Sequence, residues 1–191
     1  MTPLHRLVGA LFRRQRIRIS FDIDDTLVCH PNAAAADNGL LPGFLHRRLG
    51  EPLRRGTCAL IRELRRRKCS IWIYTSSGRT PQQIRSWLWT HGIRIDGVVN
   101  CERHHQELAG HRLSCLPSKY PPAFGIDLHV DDSLGVKMEG DTHGFRVVLV
   151  RPDDKLWTQQ VLDAVTHVQK LHEQRSPKRQ LHLAPSLPLI R

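Results

Sequence analysis

The sequence predicts an α/β fold with a mainly parallel central sheet covered by helices, and three observations carry that prediction. Short apolar, β-favouring runs alternate with longer stretches of helical periodicity, an order that suits parallel strands because each crossover needs an element of its own. Two of those runs, Ile17 to Phe21 and Ile126 to Val130, end in paired acids, Asp22-Ile23-Asp24-Asp25-Thr26 and Asp131-Asp132-Ser133, and ligand crevices of open α/β sheets lie at such carboxyl ends. A chain of 191 residues, 40% hydrophobic and 25% charged, suffices for one domain with a good core and falls short of two of ordinary size.

Taken in order, Ile17 to Phe21 reads as the first strand. Thr57 reads as the N-cap of a helix to about Lys68, with Leu60, Ile61 and Leu64 inward and arginines outward. Ser70 to Thr75 is the second strand. Thr80-Pro81-Gln82-Gln83 combines an N-cap, a proline at the first helical position and a glutamine at the third, a capping box that opens a helix with Ile84, Trp87 and Leu88 inward and Gly92 at its end. Val98 to Asn100, Ile126 to Val130 and Phe145 to Val150 supply three further strands. A last helix runs from about Asp154 to His172, with Trp157, Val161, Val165 and Val168 on one stripe. We therefore expect one domain over residues 1–172, followed by a basic, proline-punctuated tail over 173–191 too polar to order itself.

Composition narrows the function classes. Five cysteines without a Cys-x-x-Cys pair read as reduced thiols, and no apolar stretch approaches membrane-span length. The acid-free amino terminus, with Arg6, Arg13, Arg14, Arg16 and Arg18, is like an organelle transit peptide, but a strand starting near Ile17 leaves almost nothing to remove. An uncleaved cytoplasmic protein is expected, with no membrane partner. The net charge of +11 attracts polyanions, so nucleic acid is a possible partner. However, the arginines at 54, 55, 62 and 65–67 and Lys68 lie on or beside one predicted helix and read as a solvated face, without the interleaved aromatics that stack bases.

The paired acids carry the chemistry. Side chains at i and i+2 on a strand point the same way, so Asp22 and Asp24 converge at the sheet's carboxyl end. Two like charges about 4 Å apart repel by roughly 1 kcal/mol in water and about 4 kcal/mol at an effective dielectric of 20, so such a pair calls for a proton or a divalent cation. A lone Asp-x-Asp-x-Thr could be a helix-capping turn; the second cluster at Asp131 and Asp132 argues against that.

These residues resemble, in order, the four motifs of the haloacid dehalogenase-like (HAD) hydrolase superfamily: a strand then Asp22-x-Asp24-x-Thr26, a strand then Thr75, the lysine Lys119, and a strand then Asp131-Asp132. The resemblance covers roughly Ile17 to Val150 and implies a three-layer Rossmann-like HAD fold. It also implies phosphatase chemistry, with Asp22 as nucleophile and Asp24 as general acid and base. Thr75, with Ser76 beside it, and Lys119 would bind the phosphoryl group. Mg²⁺ would be held by Asp22, the backbone carbonyl of Asp24 and an acid of the fourth motif, Asp132 first and Asp131 second. Lys119 lies twelve residues before Asp131, closer than in many relatives, and Arg79 is the alternative site cation. Asp25 caps or orients. Residues 27–56 leave room for a flap or small cap insertion and not for a full helical cap.

A zinc site at Cys101, His104, His105, His111 and Cys115 is the lesser cofactor reading, because the spacing matches no zinc loop and twelve histidines make chance clustering common. His129, between Leu128 and Val130, reads as a packed core histidine. Three functions are open: a Mg²⁺-dependent phosphatase on an unknown phosphorylated substrate, a nucleic-acid end phosphatase or nucleic-acid-associated HAD protein, and a HAD-fold binding protein without turnover. The sequence is silent on oligomeric state.

Overall fold

The computed structural model describes residues 16–28, 51–110 and 116–175. Five strands, β1 (Arg18–Phe21), β2 (Ser70–Tyr74), β3 (Gly97–Val99), β4 (Leu128–Asp131) and β5 (Val147–Leu149), form one sheet in the order β3-β2-β1-β4-β5. Every neighbouring pair is parallel. The crossovers contain α1 (Thr57–Arg66), α2 (Pro81–Thr90), α3 (Cys101–Leu108), a 3-10 turn at Pro121–Phe124 and α4 (Leu134–His143); α5 (Trp157–Arg175) follows β5. The chain builds outward from β1 through β2 to β3, then returns to β1's other side for β4 and β5. β1 and β4 therefore straddle the point where the strand order reverses, where ligands bind in open α/β sheets.

The predicted Rossmann-like α/β fold is thus the observed one, and its three layers follow from the strand alternation. Ile19 and Phe21 of β1, Ile71 and Ile73 of β2, and Leu128 and Val130 of β4 enter the larger core with Leu60, Leu64, Val161 and Val165 of the helices. Tyr74 lies in a second core with Val99, Phe124 and Ile126, against which Trp72 packs. Both faces of the sheet are covered, which is why its strands read as short continuous apolar runs.

Local chemistry sets the element ends. The Thr80 capping box is present, with Gln83 N–H donating to Thr80 Oγ1 and Thr80 N–H donating to Gln83 Oε1. At α1 the cap differs from the expectation. Gly56, in the left-handed region at φ 90°, precedes the helix, and Thr57 is its first residue, with its hydroxyl donating to Arg54 O at 2.7 Å. Helices α3 and α4, capped by Asn100 and Ser133, were not read from the sequence. α5 reaches Arg175, three residues into the segment read as tail. Residues 29–50 of the segment 27–56 that reads as a flap or small cap insertion, the tail from 176, and His111 and Cys115 lie outside the described residues. Among the described residues no helix is long and apolar enough to cross a membrane.

Gly97 shows how tightly the sheet is packed. It pairs with Trp72 across β2 and β3, and a Cβ there would sit 2.4 Å from the indole ring. The guanidinium of Arg18 lies over that ring at 4.5 Å and that of Arg103 at 5.3 Å, so the ring has little freedom to retreat. Gly97→Ala is expected to destabilise the fold by about 1–3 kcal/mol, the range for overpacking; urea unfolding measures it, and a loss under about 0.5 kcal/mol would contradict this account of the packing.

Candidate active site

Strand register builds the site. Ser20 of β1 lies opposite His129 of β4, and Phe21 opposite Val130; one residue on, Asp22 N–H donates to Val130 O at 2.9 Å. Because side chains alternate along a strand, Ser20, Asp22, His129 and Asp131 share one face, while Ile19, Phe21, Leu128 and Val130 fill the larger core on the other. A polar chain results. Ser20 Oγ lies 2.8 Å from His129 Nδ1, His129 Nε2 lies 2.9 Å from Asp131 Oδ2, and Lys119 Nζ lies 2.5 Å from Asp131 Oδ2 and 2.7 Å from Asp22 Oδ1. Ser20 and His129 are fully buried. Despite its residue types the Ser-His-Asp run opens to no substrate, and its work is to hold Asp131 and, through Lys119, Asp22.

The charges follow from these contacts. Burial pushes the Asp22 carboxyl up to about 6, against the pull of Lys119. For Asp131, burial is outweighed by the contact with His129 and then by Lys119, which hold it at about 2. Burial lowers His129 despite the hydrogen bond from its ring to Asp131. A neutral imidazole with a carboxylate at Nε2 carries its proton there and accepts the Ser20 hydroxyl proton at Nδ1. Asp131 also receives Ser133 N–H on Oδ1 at 2.8 Å, so three donors occupy its two oxygens. Asp132 differs: it is half-buried, accepts from Thr26 Oγ1 at 3.1 Å, and is raised by its own burial and then by the charge of Asp131.

Asp22, Asp131 and Asp132 can place one oxygen each within 4.8 Å of one another, the one such group of metal-binding side chains among the described residues. Oxygen-only donors suit a hard divalent cation. The donor set therefore fits Mg²⁺. Asp131 already accepts from Lys119 and His129 on Oδ2 and from Ser133 N–H on Oδ1, whereas Thr26 is the one side chain donating to Asp132 among these contacts, which makes Asp132 the less committed of the two fourth-motif acids.

Lys119 is aimed from below. Ser118 N–H and Oγ donate to Glu139 of α4 at 2.9 and 2.8 Å, and Tyr120 N–H donates to the Tyr74 hydroxyl at 2.7 Å. The short gap to Asp131 is taken up by the 3-10 turn, which ends at Gly125 with φ 60°. Arg79, the alternative cation, sits elsewhere: its two terminal nitrogens grip Asp24 at 2.8 and 2.9 Å, and one also reaches Glu51 at 2.9 Å. Thus Lys119 contacts Asp22 while Arg79 contacts Asp24. Thr75 is buried at the end of β2, its Oγ1 accepting from Ser77 N–H at 3.1 Å, and Ser76 beside it is exposed. Asp25 takes a left-handed φ of 55°, turning the chain sharply after Asp24.

The zinc candidates do not converge among the described residues. His104 turns inward, its Nδ1 2.6 Å from the Tyr74 hydroxyl. Cys101 and His105 meet one helical turn apart, 3.4 Å between Sγ and Nδ1. Ser20 and Glu139 are the site-building residues that sequence reasoning missed; His129 is the packed core histidine expected, and its contact with Asp131, two residues on and in phase with it on the strand, is what the reading left out.

No family model matches the chain and no curated protein matches it. Two solved structures are similar in outline. An uncharacterized protein from Corynebacterium glutamicum is 15% identical, with a TM-score of 0.45, over 81% of this chain and 96% of its own. A predicted HAD-like family hydrolase from Porphyromonas gingivalis is 11% identical, with a TM-score of 0.43, over 81% of this chain and 98% of its own.

Proposed function

We propose that the protein is a Mg²⁺-dependent phosphomonoesterase of the HAD type that works through an aspartyl-phosphate at Asp22. The observation that carries the reading is the contact of Lys119 Nζ with Asp22 Oδ1 at 2.7 Å, at the strand-order reversal and beside the three-carboxylate cluster. A buried carboxylate on a cation, next to a further acid able to take a metal, is the equipment for attack on an electron-rich phosphorus.

In the first step an Asp22 oxygen attacks phosphorus as the bond to the leaving oxygen breaks, and Asp24 donates that oxygen its proton. In the second, water attacks the same phosphorus, Asp24 takes the water's proton, and the bond to Asp22 breaks to release phosphate. Lys119 offsets charge on Asp22 and the moving phosphoryl group, and the hydroxyl of Thr75, with Ser76, donates to phosphoryl oxygens. Asp22, Asp132 and the carbonyl of Asp24 would hold Mg²⁺, which supplies charge neutralisation to the phosphoryl oxygens when bound. For Asp24 to reach the leaving oxygen, its carboxylate must exchange Arg79 for the substrate.

The reading is tested by hydrolysis of an aryl phosphate with Mg²⁺ and with chelator. Activity is expected with the metal alone. Asp132→Asn should raise the Mg²⁺ concentration for half-maximal activity by more than the roughly 10–100-fold that losing an outer-shell partner costs; an unchanged Mg²⁺ dependence would remove Asp132 from the metal site. The Lys119–Asp22 contact favours the phosphatase reading over a binding protein without turnover.

A further inference from the structure

Beside the candidate site lies a cavity of about 340 Å³ that none of the steps above uses. Thr75 and Ser76 line one part of it, and Ser118, whose chain neighbour Lys119 contacts Asp22, lines another. It thus opens between the two segments assigned to the phosphoryl group, where the remainder of a phosphomonoester would project. Its other walls include His104 and Leu108 of α3, Ala109 just past that helix, and Leu116.

The lining chemistry restricts the occupant. In a chain with 25% charged residues, no Lys, Arg, Asp or Glu is among the described residues that line the cavity. Against these described walls a second phosphate or a carboxylate would lose its hydration and meet no counter-charge. The walls are aromatic and aliphatic instead. The His104 and His105 rings meet edge to face at 5.3 Å, and the Tyr74 ring lies 5.9 Å from His104. Burial, followed by the neighbouring His105, lowers the His104 pKa, so this ring too favours its neutral form. Leu116 is 55% exposed at the cavity's edge, and adds an apolar surface there. The volume lies near the lower end of the roughly 300–1,000 Å³ typical of ligand pockets, which suits one ring or two fused rings.

We propose that this cavity receives an uncharged aromatic leaving group, so that the substrate is an aromatic phosphomonoester. The inference rests on the phosphatase reading, and its test separates the two. Benzyl and methyl phosphate have leaving alkoxides of nearly equal basicity, so their comparison reads occupancy of the cavity and not leaving-group chemistry. In the full chain with Mg²⁺, kcat/KM should favour benzyl phosphate by roughly ten- to hundredfold, the range for burying one aromatic ring. Ala109→Trp, which fills the cavity, and Leu116→Glu, which places a charge at its edge, should each abolish that preference and leave methyl phosphate turnover unchanged. Equal kcat/KM for the two esters in the wild type, or a preference that survives both variants, would overturn the proposal and leave the phosphatase reading standing. Hydrolysis of neither ester nor of the aryl phosphate would overturn the phosphatase reading and the proposal with it. Should the variants fail to fold, the ring resonances of His104 and His105 in the wild type decide: benzyl alcohol shifts them if the cavity holds the ring, and unchanged resonances at saturating alcohol overturn the proposal.

Discussion

Asp22→Asn is expected to abolish phosphomonoester turnover, by on the order of 10⁴- to 10⁶-fold, the scale of losing a covalent nucleophile, while making the metal-free protein more stable at neutral pH. Both effects have one cause. The carboxyl of Asp22 rises from an unfolded 3.8 to about 6 in the fold because burial disfavours its charge more than Lys119 favours it. A carboxyl whose folded value lies above its unfolded value binds a proton more tightly when folded. Its contribution to stability is therefore fully present below 3.8 and is lost as pH rises through about 6. Asn removes that loss. In chelator, the variant's advantage over wild type should grow between pH 4 and 7 to on the order of 2 kcal/mol, read from melting temperatures at each pH. A variant that retains activity, or one whose relative stability does not change with pH, contradicts the burial of an ionised Asp22 against Lys119. The neighbouring Asp131, held at about 2, behaves oppositely: it stabilises above its unfolded value and loses that contribution only as pH falls through about 2.

The largest stability effect is expected outside the site. Arg54 is 0% exposed, and its guanidinium donates to the carbonyls of Arg151 at 2.6 Å, Asp154 at 3.0 Å and Thr26 at 3.4 Å while lying 4.6 Å over the Trp157 ring. It joins the turn after β1, which carries the Asp24 end of the site, to the segment between β5 and α5. Arg54→Ala strips three carbonyls of a charged donor and opens a void, so a loss of about 3–5 kcal/mol is expected, or roughly 10 °C or more in Tm for a chain of this size. Arg54→Lys, a point charge without the planar fork, should recover part of that. A loss below about 1 kcal/mol for the alanine variant would show that the buried guanidinium is not what ties these segments.

Arg54 also marks where the sequence stops being legible. In the sequence it is one of a row of arginines beside a helix, and its neighbours behave as a solvated face should: Arg66 and Arg67 pair with Glu63, and Arg65 with Asp96. Nothing local distinguishes Arg54 from them, because its partners are carbonyls 28, 97 and 100 residues away in the chain. The strands and α2 were legible because a short apolar run and a capping box are local signals. Helix α4 was not, since Gly135, Gly140 and Thr142 weaken its propensity; Gly140 is needed because a Cβ there would sit 2.8 Å from Phe145 O. The paired acids were readable from strand periodicity. The resemblance put Asp132 first among the fourth-motif acids, but that Lys119, His129 and Ser133 N–H all reach Asp131 was not readable, because it depends on where the fold aims each donor.

The central claim, that Asp22 accepts the phosphoryl group, is tested most directly by quenching the enzyme during turnover with Mg²⁺ and an aryl phosphate, reducing with borohydride and sequencing its peptides by mass spectrometry. An aspartyl-phosphate is reduced to homoserine, and the account predicts homoserine at position 22 in the turnover sample and not in a substrate-free control. Homoserine at a different aspartate, or none at all while phosphate is being released, would contradict it.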